Sequence, residues 1–89
     1  MNVSTTTTVT VRYFAAARAA AGVDTETVEV GAGATVADLL AVVRDRHGDR
    51  LAQVLDRCSY LLDEVAVRDQ GVQPADGATL DVLPPFAGG

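Results

Sequence analysis

The residues that could do chemistry close the sequence: Pro84-Pro85-Phe86-Ala87-Gly88-Gly89. Neither Gly88 nor Gly89 has a Cβ, so the tip can enter a narrow channel, and its carboxyl carbon is as unhindered as an amino acid allows. A terminal carboxylate has a reference pKa of about 3.3 to 3.7 and is ionised at neutral pH. In that form it is a poor electrophile. Acyl chemistry at Gly89 therefore needs activation from outside, most simply by ATP on a partner enzyme. Pro84 and Pro85 have no amide hydrogen and fix φ near the polyproline value, so they end a strand and send the chain outward, stiff and extended. From Pro84 to Gly89 the reach is roughly 20 Å at about 3.3 Å per residue, enough to thread a partner's active site.

Other candidates for chemistry are thinner. His47 is the single histidine and Cys58 the single cysteine, which leaves no ligand set for a metal, so none is expected. Cys58 has only Arg57 beside it to lower its pKa and reads as a packed thiol. Asp63 and Glu64 are adjacent instead of facing each other across a cleft, as an acid/base pair would, and so read as a turn. Gly31-Ala32-Gly33 lacks the third glycine and the Gly-Lys-Ser/Thr of a phosphate loop and reads as a plain loop.

The elements that must position the tail follow from hydrophobic period. Thr79 to Leu83 alternates as a half-buried strand, with Leu80 and Val82 on one face and Thr79, Asp81 and Leu83 on the other. Residues 1–8, with Ser4 and a run of four threonines, have no apolar period and read as a frayed end or an extension of the first strand. Val9 to Phe14 sets Val9, Val11 and Tyr13 against Thr10, Arg12 and Phe14 and predicts that strand. Ala15 to Ala21 favours a short helical turn stopped by Gly22, and Asp24 to Val30 a return strand with Val28 and Val30 inward and Glu29 outward.

The strongest periodic signal runs from Thr35 to His47. Thr35 is placed as N-cap, Asp38 lies in the first turn, and Val36, Leu39, Leu40 and Val43 fall on one helical face. Arg44, Arg46 and His47 suit the negative end of the helix dipole, and Gly48 ends it. A second short helix is expected over Leu51 to Arg57, then strands Ser59–Leu62 and Val65–Arg68 about an Asp63-Glu64 turn. A loop over residues 71–75 and an Asp76-Gly77 turn lead into the last strand.

At 89 residues the chain is one domain, able to bury roughly 60 to 65 per cent of its unfolded surface. A net charge of −5 argues against nucleic acid or an anionic membrane as partner and favours a partner with a basic docking surface. No internal disulfide can form, and no signal-peptide pattern or long apolar run is present, so the expected location is cytoplasmic. All seven basic residues are arginines; with no lysine, an activated C-terminus would find no side-chain amine on its own chain.

The element order, with Tyr13-Phe14-Ala15-Ala16-Ala17-Arg18 leading out of the first strand, the Asp76-Gly77 turn and the Pro-Pro-x-x-Gly-Gly end, resembles the ubiquitin-like sulfur carriers of the MoaD/ThiS type. Within them it is most similar to the small subunits of molybdopterin synthase. The resemblance covers about Val9 to Gly89 and departs at Leu62-Asp63-Glu64, where such carriers often have an apolar-Asn turn. It implies an α+β, β-grasp domain over residues 9–83, a mixed sheet on one main helix with first and last strands parallel in the middle, and a flexible tail over 84–89.

For function it implies a sulfur carrier and not an enzyme in its own right. An E1-like adenylating enzyme, using ATP, would join Gly89 to AMP, and a sulfur donor would convert the acyl-adenylate to a thiocarboxylate. The large subunit of molybdopterin synthase would then take the tail and use its sulfur to build the pterin dithiolene. The chain itself would bind no cofactor. Gly89 and Gly88 are the expected reacting tip, and Phe14, Leu83, Pro84, Pro85, Phe86 and Ala87 the partner contacts, Phe14 and Leu83 lying on the sheet's open face. Alternatives are a carrier for thiamine or cysteine synthesis, a β-grasp binding module, or a protein modifier.

Overall fold

A computed structural model describes residues 5–85. Its elements run β1 Thr6–Tyr13, α1 Ala15–Ala21, β2 Thr25–Gly31, α2 Val36–His47, α3 Asp49–Leu55, β3 Ser59–Leu62, β4 Val65–Ala66 and β5 Thr79–Leu83. The strands form one mixed sheet in the order β2-β1-β5-β3-β4. β1 and β5 lie parallel at its centre, with Thr10 opposite Thr79 and Tyr13 opposite Val82, and the other pairings are antiparallel. This is the β-grasp arrangement.

Alternation along the strands decides which face the helices cover. Val9, Val11, Tyr13, Val28, Val30, Leu80 and Val82 are buried against Val36, Leu39, Leu40 and Val43 of α2, Ala17 of α1 and Leu51 and Leu55 of α3. α2 begins as its sequence dictates: Thr35 accepts from the Asp38 amide (3.2 Å) and the Asp38 carboxylate accepts from the Thr35 amide (2.9 Å), a reciprocal capping box. Gly22 ends α1 at φ 80°, a left-handed conformation that glycine adopts without steric cost, and returns its N–H to the Arg18 carbonyl.

β2 is shifted by one residue, to Thr25–Gly31, and β1 ends at Tyr13, one residue short of Phe14; the larger differences from the sequence pattern are at the start of β1 and the end of β4. β1 starts at Thr6, not Val9, because Thr6, Thr7 and Thr8 pair with Gly31, Val30 and Glu29; β-branched threonine suits a strand even where no apolar period announces one. Residues 1–4 lie outside the described residues. β4 is only Val65–Ala66, shorter than Val65–Arg68, because the chain beyond it is drawn across to α2. There the carbonyls of Val72 and Gln70 accept the first-turn amides of Val36 and Ala37 at 2.9 and 3.0 Å, donors that the helix cannot satisfy internally.

The end of α2 is tied to the sheet by a polar group the period alone would not suggest. Glu26 of β2 accepts from Tyr13 Oη (2.5 Å) and Arg46 Nη1 (2.9 Å) and is hydrogen-bonded to His47 Nε2. The His47 ring also meets the Tyr13 ring edge-on, centroids 5.9 Å apart. Burial alone would push the Glu26 carboxyl up, but the bonds from Tyr13, His47 and Arg46 outweigh it and hold it below the ordinary value. Burial, with Glu26 second, raises the Tyr13 phenol.

Glu26→Gln should therefore destabilise the fold by about 1.5 to 3 kcal/mol at neutral pH, the range for hydrogen bonds to a charged group. A depressed carboxyl contributes stability that is present above its unfolded pKa, about 4.3, and lost as pH falls through the lower folded value. Urea denaturation of native protein and variant should give midpoints that converge across that window; a gap that stays constant down to the acid end would exclude this role for Glu26.

Candidate functional site

β5 is held on both sides. The Asp76-Gly77 turn sets it in register: the Thr8 amide donates to Asp76 Oδ1 (2.8 Å) and the Gly77 amide to the Thr8 carbonyl (2.8 Å), with Gly77 at φ 86°. On the other side Ser59, Tyr60, Leu61 and Leu62 oppose Leu83, Val82, Asp81 and Leu80. The β3–β4 turn locks on as well. Its Asp63 and Glu64 take φ of 48° and 71°, and Asp63 exchanges two bonds of 2.9 Å with the Thr79 backbone, one through its carboxylate.

The ladder stops at the prolines. Leu83 is the last β5 residue with a cross-strand partner, Ser59, and Pro84 and Pro85 have no N–H with which to continue. The tail thus starts from the middle of the sheet, not from an edge. Phe86, Ala87, Gly88 and Gly89 lie outside the described residues.

Phe14 and Leu83 lie on the open face. Phe14 is 39% exposed and its amide donates to the Val82 carbonyl (3.2 Å), which continues the parallel register and sets Phe14 beside half-buried Leu83. Pro84 and Pro85 belong elsewhere. They line a groove of about 520 Å³ together with Ala16 of α1 and Arg50, Gln53, Val54 and Arg57 of α3 and the turn after it. The prolines therefore connect the open-face patch to the helical side instead of enlarging it.

Beneath Phe14 lies an ion pair. Arg12 donates to Asp81 through Nε (2.5 Å) and Nη2 (2.8 Å), and its guanidinium stands 5.7 Å from the centre of the Phe14 ring. The strand register makes this pair, since Arg12 and Asp81 are direct neighbours across β1 and β5. Asp81 is only 5% exposed. The carboxylate is therefore shielded from water, while the Arg12 side chain that covers it stays 45% exposed. The hydrogen bond and the charge of Asp81 both raise the Arg12 pKa further, so it stays charged. An open depression of about 310 Å³ adjoins it, lined by Arg12, Asp63, Glu64, Thr79 and Asp81.

The remaining candidates carry structure. Cys58 Sγ donates to the Val54 carbonyl (3.2 Å), and burial pushes the thiol up to about 11, far from a reactive thiolate. His47 belongs to the Glu26 cluster. Among the described residues no three His, Cys, Asp or Glu side chains gather as a metal site requires, and no helix is long and apolar enough to cross a membrane. Glu26 and the burial of Asp81 are what sequence reasoning missed. Glu26 was findable, because it shares the parity of Val28 and Val30 and so must face inward.

Fold and site together define a ubiquitin-like β-grasp domain whose central C-terminal strand leads into Pro84-Pro85 and sets half-buried Leu83 next in register to exposed Phe14. The ThiS family model matches residues 11–89, and the chain belongs to that family. It is 38% identical over 78 residues to the molybdopterin synthase sulfur carrier subunit of Chlamydomonas reinhardtii, spanning 86% of this chain and 93% of that one. A Pyrococcus furiosus structure provisionally designated molybdopterin converting factor, subunit 1, is similar with a TM-score of 0.81 at 30% identity, over 90% of this chain and 99% of that one. SAMP1 of Haloferax volcanii, a small archaeal modifier protein, is similar with a TM-score of 0.82 at 29% identity, over 92% and 99%.

The buried position of Asp81 yields a test. Arg12→Met strands a buried carboxylate, whereas Arg12→Met with Asp81→Asn removes the charge along with its partner. The single variant should have the lower urea midpoint of the two. The reverse order would mean that the pair behaves as an exposed one.

Proposed function

We propose that this chain is the sulfur carrier of a molybdopterin synthase. One observation carries the reading: the strand that ends in Pro84-Pro85 also supplies Leu83 to the open-face patch beside Phe14. A partner that docks on the patch thereby receives the tail. The likeness to the Chlamydomonas carrier subunit supports this choice among the family's pathways.

The chemistry is then divided between proteins. A Gly89 carboxylate oxygen attacks the α-phosphorus of ATP on an E1-like adenylating enzyme, and pyrophosphate leaves. Sulfur at the sulfide level, delivered by a donor, attacks the acyl carbon; AMP leaves and a thiocarboxylate remains. The tail next enters the large synthase subunit and yields its sulfur to a cyclic pterin precursor, while water restores the carboxylate. This chain supplies the acyl group, the reach and the docking patch, and the catalytic groups belong to its partners.

SAMP1 supports a second reading, a protein modifier whose Gly89 ends in an isopeptide on a partner's lysine. The two readings share activation and part at the acceptor. Incubation with ATP, sulfide and the host's adenylating enzyme should shift the intact mass by one oxygen replaced by sulfur, and the chain lacking Gly89 should show no shift. Adducts on lysines of other proteins, with no thiocarboxylate formed, would instead establish the modifier.

The docking patch has its own test. Phe14→Ala should weaken binding to the large synthase subunit about tenfold, as loss of a central aromatic anchor does, with the thermal midpoint little changed. Unaltered affinity would remove Phe14 from the interface.

A further inference from the structure

The groove beside the prolines combines an apolar floor with two cations. Ala16, Val54, Pro84 and Pro85 supply the floor, and Arg50 and Arg57 stand exposed at its rim with Gln53. Arg12, Arg18, Arg44 and Arg46 each pair with a carboxylate. Arg50 and Arg57 pair with none among the described residues. In a chain of net charge −5, two guanidiniums without a carboxylate partner stand beside the root of the tail.

We propose that this groove docks an acidic segment of the adenylating enzyme that activates the tail. The inference rests on the carrier reading above. Any protein that accepts the tail must pass along Pro84-Pro85, the wall the groove shares, so the groove continues that interface. The uncharged tail sequence from Leu83 to Gly88 offers no side chain for electrostatic recognition, and the arginines beside it supply one. Each guanidinium presents a planar fork that fits a carboxylate with two parallel bonds. Both line the same groove, Arg50 from α3 and Arg57 from the turn after it, so a single acidic segment can meet them together.

Charge also selects which partner. A carrier must leave its activating enzyme after every cycle, and charge-steered, salt-sensitive contacts raise encounter rates without demanding a long-lived complex. The apolar patch around Phe14 and Leu83 suits the more lasting subunit contact.

The test is ATP–pyrophosphate exchange by the host's adenylating enzyme as carrier concentration and salt are varied. Relative to native protein, Arg50→Glu with Arg57→Glu should raise KM for the carrier about tenfold, with kcat unchanged and the salt dependence flattened, as expected for losing two rim pairs and adding repulsion. Arg50→Gln with Arg57→Gln should act in the same direction and serves if the reversal variant misfolds. Arg50→Lys with Arg57→Lys should keep the salt dependence, and Arg68→Glu, distant from the groove, should match native protein.

Unchanged KM and salt response in both Glu and Gln variants, with exchange still abolished by deleting Gly89, would overturn the groove proposal and leave the carrier reading standing. Weakened assembly with the large synthase subunit at unchanged exchange KM would overturn it too, giving the groove to the other partner. Failure of the native chain to support exchange with an enzyme proven on another carrier would overturn both.

Discussion

The parallel pairing of β1 with β5 is the constraint on which the rest depends. It joins segments nearly seventy residues apart, Arg12 with Asp81 and Tyr13 with Val82, and so requires the whole intervening chain to be packed before it is complete. The capping box, the short helices and the Asp76-Gly77 turn serve that closure. Because β5 lies inside the sheet with a neighbour on either side, the point where the tail begins is fixed by two ladders. A tail leaving an edge strand would begin from a place that frays.

The two faces of this pair are stabilised by different physics. On the covered face Leu80, Val82, Val11 and Val9 are wholly buried, and removing them from water drives association without specifying direction. On the open face the Arg12–Asp81 pair supplies direction, since two geometrically fixed bonds form only in the correct register and a slip of one residue would leave a buried carboxylate alone. The same guanidinium lies against Phe14. The side chain that fixes the register thus also stands against the exposed Phe14 ring.

Legibility followed the reach of each interaction. α2 could be read with its caps because every determinant, from Thr35 to Gly48, is local, and the strand faces could be read because alternation is local too. The threonine run of β1 was ambiguous because a hydroxylated strand has no apolar period, and only pairing with β2 decides it. The shortness of β4 depends on where α2 needs acceptors, and the companions of Pro84 and Pro85 depend on how α3 packs; neither is encoded nearby. Arg12 and Asp81 could be placed on one face by parity, but the burial of Asp81 is a tertiary property. The tip is the opposite case: Gly88 and Gly89 lie outside the described residues, and their reading rests on the chemistry of the sequence alone.

On the carrier reading, rigidity and reach have to be separated along one strand, and the sequence does this within three residues. Leu83 is the last position with an amide to give to the ladder; Pro84 and Pro85 have none, yet keep the chain stiff as it leaves. Glycines at that point would start the tail from the same place but let it sample many directions, so an accepting channel would have to pay the ordering entropy. Stiffness at Pro84-Pro85 lowers that cost where direction matters. On that reading a partner that recognises the sheet end of the chain, through Phe14 and Leu83 or through the arginine groove, meets the root of the tail at a fixed place.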